Sequence, residues 1–205
     1  MPSRSLQEIS SKLLPEEDCE EDYEEDYMAS KSQEKILHRG SRFNVHLMEL
    51  VGSDGETYQR EVIRHPGAVV LIPILDDGRL VLIENNRPTV GETLLELPAG
   101  TMEWDEDPEA TAARELAEET GFRAEKFTLI HEFYSAPGIS DELMYLYVAN
   151  GLTPGNHARE AVEDIENRIA TKQEIKQWME EGKIRDGKTL IGLYSLLSSP
   201  RFGQD

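Results

Sequence analysis

An α/β fold, with a mixed sheet sandwiched between helices, is predicted by two observations. Short apolar and β-branched runs recur through most of the chain, and only three segments carry helical spacing and punctuation. A third observation sets where that fold begins. The net charge of -20 over 205 residues is concentrated in one N-terminal block, Glu16-Glu17-Asp18-Cys19-Glu20-Glu21-Asp22-Tyr23-Glu24-Glu25-Asp26. Such a block repels itself and has no apolar periodicity with which to offset its ordering entropy. Residues 1–30 are therefore expected to be a disordered acidic tail, followed by an N-terminal strand region over 31–64 and the main domain over 65–205.

Composition narrows the function. The apolar fraction is 38%, and the chain stays acidic beyond the tail, which argues against a basic nucleic-acid surface. Cys19 is the only cysteine, so neither an internal disulfide nor a cysteine metal cage can form. The longest apolar run, 68–75, contains Pro73 and is too short to span a bilayer, and no signal-peptide core is visible. A soluble cytoplasmic protein without a membrane partner is expected.

In order along the chain, 41–51 and 56–64 read as strands joined by Gly52-Ser53-Asp54-Gly55, which has hairpin chemistry. Segments 69–75 and 80–84 read as a second pair, joined by Asp76-Asp77-Gly78. Their continuous apolar character predicts central strands covered on both faces. A short strand is expected at 94–97, before Pro98-Ala99-Gly100. Segment 108–120 reads as a helix, with Asp107 as its cap, Pro108 in the first position and Gly121 as a left-handed stop. Strands follow at 127–133 and 143–149, separated by the loop 135–142. A polar loop over 153–163 leads to helices at 172–181, with Ile175, Trp178 and Met179 inward, and at 188–197.

The chemistry lies on the first helix. At about 100° per residue, Glu115, Glu118 and Glu119 share one sector, while Ala113, Leu116 and Ala117 take the opposite one and are expected to pack on the sheet. Three adjacent carboxylates destabilise one another unless a cation sits among them. Oxygen-only donors without a histidine pair favour a hard ion, Mg2+ or alternatively Mn2+. Arg114, four residues before Glu118, is placed to orient or neutralise the cluster. A lone Glu-x-x-Glu-Glu is more often a solvated helix face, and the wider pattern reverses that judgement. Gly100, five residues, Glu106, seven residues, Arg114-Glu115-Leu116, one residue, Glu118-Glu119, one residue and Gly121-Phe122 follow in order.

This run resembles the complete box of the Nudix hydrolase family, and the resemblance extends over about residues 40–200. It implies the family's α/β/α sandwich and a divalent-metal pyrophosphohydrolase. Carried over by position, Glu115 and Glu119 are metal ligands together with the carbonyl of Ala99. Glu118 is a further or water-mediated ligand, Arg114 orients the glutamates, and Glu106 fixes the loop. Leu95-Glu96-Leu97-Pro98-Ala99-Gly100, Pro137 sixteen residues after Gly121, and Trp178-Met179-Glu180-Glu181-Gly182-Lys183-Ile184 resemble the ADP-ribose pyrophosphatase-like subfamily. That likeness implies Arg60 and Glu61 on the nucleotide, Arg87 on the phosphates, and the loop from Ala136 to Glu142 on the terminal ribose. In this subfamily an acidic residue before the penultimate helix approaches the attacking water. Aligning Glu163-Asp164-Ile165 makes Glu163 a metal ligand but puts Ala161 where the base stands, so either Glu160 serves as base, the preferred expectation, or the arrangement differs.

The activity implied is hydrolysis of a nucleotide sugar, ADP-ribose to AMP and ribose 5-phosphate, by a homodimer whose N-terminal sheets exchange. The alternatives are hydrolysis of GDP-mannose or another nucleoside diphosphate derivative, and a non-catalytic nucleotide-binding regulator. Modules of the latter kind usually lose box glutamates, and this chain has all of them.

Overall fold

The computed structural model describes residues 34–155 and 165–199. The acidic tail, Glu160 and Glu163 lie outside the described residues. The strands are β1 (Glu34–Arg39), β2 (Asn44–Val51), β3 (Thr57–Arg64), β4 (Ala68–Pro73), β5 (Leu80–Arg87), β6 (Glu92–Glu96), β7 (Ala99–Thr101), β8 (Phe122–Arg123), β9 (Lys126–Tyr134), β10 (Leu143–Asn150), β11 (Thr153–Pro154) and β12 (Ile165–Ala170). The helices are α1 (Pro108–Glu115), extended by a π-helical turn (Leu116–Thr120), α2 (Lys172–Glu180) and α3 (Gly187–Ser198).

β4 is the centre of the molecule, and every one of its residues is buried. It pairs antiparallel with β7 and parallel with β10, and β9 completes the sheet in the order β7-β4-β10-β9. Alternation along β4 divides the core in two. Val70 and Ile72 pack with Ile175, Leu193 and Leu196 on the side of α2 and α3, whereas Val69 and Leu71 pack with Ala112 and Leu116 on the side of α1. The result is the expected α/β/α sandwich. Each fully buried aliphatic side chain in these layers contributes about 1.5–3 kcal/mol relative to exposure. Gly192 lets α3 lie close on the sheet, since an added Cβ would meet Leu97 Cδ1 at 2.6 Å.

Two readings of the sequence are corrected. Asp76-Asp77-Gly78 does make a tight turn, with the Gly78 N–H donating to Leu75 O and the Leu75 N–H to Arg79 O, both at 2.9 Å. The flanking strands nevertheless do not form a ladder. Beyond a single bridge, Ile74 to Leu80, they enter different sheets, because β5 is central in the order β12-β5-β6. A strand has two hydrogen-bonding edges, and both edges of β4 and of β5 are taken by other partners. On α1, Ala113 is exposed while Thr111, Ala112, Glu115 and Leu116 are buried. The helix turns its carboxylate sector toward β7 as well as its apolar seam toward the sheet, so the two are neighbours and not opposites.

β1 and β12 have no strand of their own in the sequence reading, β1 lying inside the strand region expected over 31–64 and β12 following the loop expected over 153–163. Both are edge strands whose polar residues, such as Glu166 and Arg168 in β12, break the alternation that marks a half-buried strand. β1, β2 and β3 form a separate antiparallel sheet with the expected turn, in which Gly55 has φ 81°. That sheet is largely exposed, including Leu37, Val51 and Tyr58. It joins the body where the Ile63 N–H donates to Ile139 O at 2.8 Å and Arg64 reaches Asp141 at 3.1 Å. Among the described residues no helix is long and apolar enough to cross a membrane.

Candidate active site

α1 starts where Asp107 accepts the N–H groups of Glu109 and Ala110, each at 3.0 Å, and the π-helical turn stops at Gly121 with φ 76°. Around the guanidinium of Arg114 the chain gathers three carboxylates, Glu106, Glu115 and Glu118. Arg114 Nη1 donates to Glu115 Oε1 at 2.7 Å and to Glu118 Oε2 at 3.2 Å. Its Nε and Nη2 reach Glu106 at 3.3 and 3.2 Å, and Nη2 also reaches the Thr101 carbonyl at 3.3 Å. The fourth carboxylate, Glu119, is 3% exposed and accepts the Ala99 N–H at 2.9 Å.

The electrostatics follow from these contacts. Hydrogen bonding from Arg114 holds the Glu106 carboxyl down to about 2. Burial works against the charge on Arg114, yet its bonds to Glu106 and the field of Glu115 raise its pKa above the ordinary value. Gly100 explains how Glu115 fits: a Cβ there would lie 1.9 Å from the Glu115 carboxyl carbon. The absence of a side chain on β7 is what lets the carboxylate rest against the strand.

Four carboxylates against one cation, with oxygen donors only, suit a hard divalent ion. Among the described residues no three acidic or histidine side chains already converge as a cage. The hydrogen bonds show why: Glu115 and Glu118 turn to Arg114, and Glu119 turns to the Ala99 amide.

Beside β7 lies a cavity of about 430 Å³, whose lining includes Ala99, Gly100, Arg87, Glu142, Ser135 and Lys188. Three residues singled out in the sequence, Arg87, Ala99 and Glu142, thus share one cavity. The Glu142 carboxylate accepts from Ser135 Oγ and faces His65 Nε2 at 3.7 Å. His65 Nδ1 accepts the Gly67 N–H at 3.1 Å, which leaves its proton on Nε2, toward Glu142. Ala136 forms the turn of the same loop, its carbonyl accepting from Ile139 and Ser140. Arg60 and Glu61 are exposed on β3 and do not line this cavity.

Sequence reasoning gives no role to Lys188, or to Glu96 within the run Leu95-Glu96-Leu97-Pro98-Ala99-Gly100. Glu96 is 1% exposed, accepts from Arg87 Nε at 2.9 Å and Nη2 at 2.7 Å, and is 2.6 Å from Lys188 Nζ. That bond raises the Arg87 pKa against the opposing effect of burial. One signal was available: a lysine in the first turn of a helix opposes the macrodipole and calls for a reason.

A NUDIX domain family model matches residues 64–190. The chain is 36% identical over 176 residues to the methanol dehydrogenase activator of Bacillus methanolicus, an alignment covering 82% of this chain and 95% of that protein. It is 33% identical over 171 residues to the ADP-ribose pyrophosphatase of Bacillus subtilis (strain 168), covering 80% of this chain and 92% of the relative. A crystal structure described as an ADP compounds hydrolase shares the fold, with TM-score 0.69 and 23% identity over 80% of this chain and 89% of that one. With Glu106, Glu115 and Glu118 gathered on Arg114, the family model matched over the central domain and relatives aligned along nearly their whole length, the chain belongs to the NUDIX family of hydrolases.

Proposed function

We propose that the chain hydrolyses the pyrophosphate bond of a nucleoside diphosphate sugar, with ADP-ribose as substrate and AMP and ribose 5-phosphate as products. The observation that carries this reading is the joining of the box glutamates, through Ala99 and Gly100 of β7, to a cavity that also holds Arg87 and Glu142. The similarity to an ADP-ribose pyrophosphatase supports the choice of sugar nucleotide.

In this reading Glu115, Glu119 and the Ala99 carbonyl hold Mg2+, or Mn2+ in its place, with Glu118 and Glu163 as further ligands. Bound there, the ion supplies Lewis-acid polarisation of the phosphoryl oxygens. Arg114 fixes the glutamate carboxylates, and Arg87 takes up phosphoryl charge. Glu142, steadied by Ser135 and His65, accepts hydrogen bonds from hydroxyls of the terminal ribose. Glu160 removes the proton of the attacking water as its oxygen bonds to one phosphorus. The bond from that phosphorus to the bridging oxygen breaks, and the bridging oxygen leaves with the other phosphate. Arg60 and Glu61, which do not line the cavity of their own chain, would meet the nucleotide of a partner protomer in a homodimer. The exposed apolar residues of the N-terminal sheet favour that assembly. We place the protein in the cytoplasm.

Product analysis tests the reading. ADP-ribose and GDP-mannose are incubated with the full chain, with Mg2+ or with chelator, and with Glu119→Gln as control. AMP formed from ADP-ribose only with Mg2+, and lost in the variant, is the expected result. Preferential cleavage of GDP-mannose would move the substrate assignment, and no turnover of either would refute the proposed activity.

A further inference from the structure

In the wall of the cavity, Arg87 and Lys188 meet one buried carboxylate, Glu96. Glu96 accepts two hydrogen bonds from Arg87 and one from Lys188. Lys188 Nζ is also 2.9 Å from Asp186 Oδ2. Asp186 in turn caps α3, accepting from the Thr189 N–H at 2.9 Å and from Thr189 Oγ1 at 2.6 Å. Thr189 Oγ1 accepts the Leu97 N–H at 2.8 Å, so the end of β6 and the start of α3 are locked together around the two cations.

A buried ion-pair cluster of this kind adds little net stability. Desolvating the Lys188 ammonium is costly even beside Glu96 and Asp186, and a lysine in the first turn of a helix opposes the dipole. The side chain of Lys188 is nonetheless only 14% exposed, and it lines the cavity with Arg87. Donor capacity remains as well. An ammonium carries three N–H groups and a guanidinium five, and the bonds to Glu96 and Asp186 leave one on Lys188 and three on Arg87, among the described residues. These donors share the cavity with Ala99 and Gly100, against which Glu119 and Glu115 rest.

We propose that Lys188 is a second phosphoryl-binding cation that acts with Arg87 on the substrate's diphosphate, and that buried Glu96 is the positioning residue for both. This inference rests on the pyrophosphatase reading above.

The test is initial-rate kinetics of the full chain on ADP-ribose with saturating Mg2+, for wild type, Lys188→Met, Lys188→Arg and Glu96→Gln, with thermal melts alongside. Loss of a charge-assisted hydrogen bond predicts that Lys188→Met raises KM about 10- to 100-fold, with kcat held within about threefold. Lys188→Arg, which keeps the charge, is expected to recover most of that loss. Glu96→Gln is expected to raise KM as well, by releasing both cations; should that variant fail to fold, the lysine series decides alone. An unchanged KM in Lys188→Met overturns the inference. So does a fall in kcat that tracks a fall in melting temperature at constant KM, which is the signature of a structural role. Absence of ADP-ribose turnover by the wild-type chain would instead overturn the underlying reading, and this inference with it.

Discussion

Replacing Gly100 by alanine puts a methyl carbon where the Glu115 carboxylate lies. The added Cβ would stand 1.9 Å from the carboxyl carbon and 2.1 and 2.3 Å from its oxygens, whereas ordinary contact begins near 3.4 Å. β7 cannot yield easily, because Gly100 is in register with Val69 of the buried central strand. The far end of the flexible Glu115 side chain must therefore retreat by about 1.5 Å. That movement gives up the 2.7 Å bond to Arg114, a charge-assisted interaction worth about 1.5–3 kcal/mol. For a chain of this size each kcal/mol shifts the melting temperature by about 2–4 °C, so the variant is expected to fold and to melt roughly 3–12 °C lower. Activity should suffer far more. A displacement of about 1 Å in a catalytic group costs on the order of 100-fold, and Glu115 is an assigned metal ligand in the proposed site. AMP release from ADP-ribose, measured across a Mg2+ titration, should fall at least about 100-fold, with half-saturation shifted to higher Mg2+. Wild-type turnover and Mg2+ dependence in Gly100→Ala would refute the assignment of Glu115. Complete loss of folding would show that the side chain cannot move aside as argued.

Two further predictions concern stability. Asp107→Ala removes the acceptor of two N–H groups at the start of α1 and should destabilise the chain by about 0.5–2 kcal/mol; denaturant unfolding that shows no loss would count against the cap. Glu106 carries a pKa lowered from 4.5 to about 2, chiefly by Arg114. A carboxylate depressed in the folded state contributes stability above its unfolded pKa and loses it as pH falls through the folded value. The stability gap between wild type and Glu106→Gln should therefore be full at about pH 6 and shrink from about pH 4.5 toward pH 2. Denaturation of both proteins across that window checks it, and a gap that does not change with pH would refute the pairing.

The local parts of the site were legible because they are written in consecutive residues. Asp107, Pro108 and Gly121 mark where a helix starts and stops through backbone groups within a few positions of themselves. Glu115, Glu118 and Glu119 share a sector because helical spacing puts them there. β4 and β5 announced their burial through unbroken apolar runs. Partner choice was a different matter. Whether β4 pairs with β5 across the short Asp-Asp-Gly turn, or with β10 some seventy-five residues away in sequence, depends on which edges other strands have already occupied. The arc of α1 that is buried depends on how closely β7 approaches, and Gly100 sets that distance from outside the helix. Glu96 and Lys188 lie 92 positions apart, and each reads locally as an unremarked charge. Sequence alone determined the helix punctuation, the glutamate spacing and the family of chemistry, since these rest on near-neighbour geometry. Only the tertiary structure decided the strand partners, the buried face of α1 and the two-cation clamp, since those depend on which distant segments compete for the same edge, surface or charge.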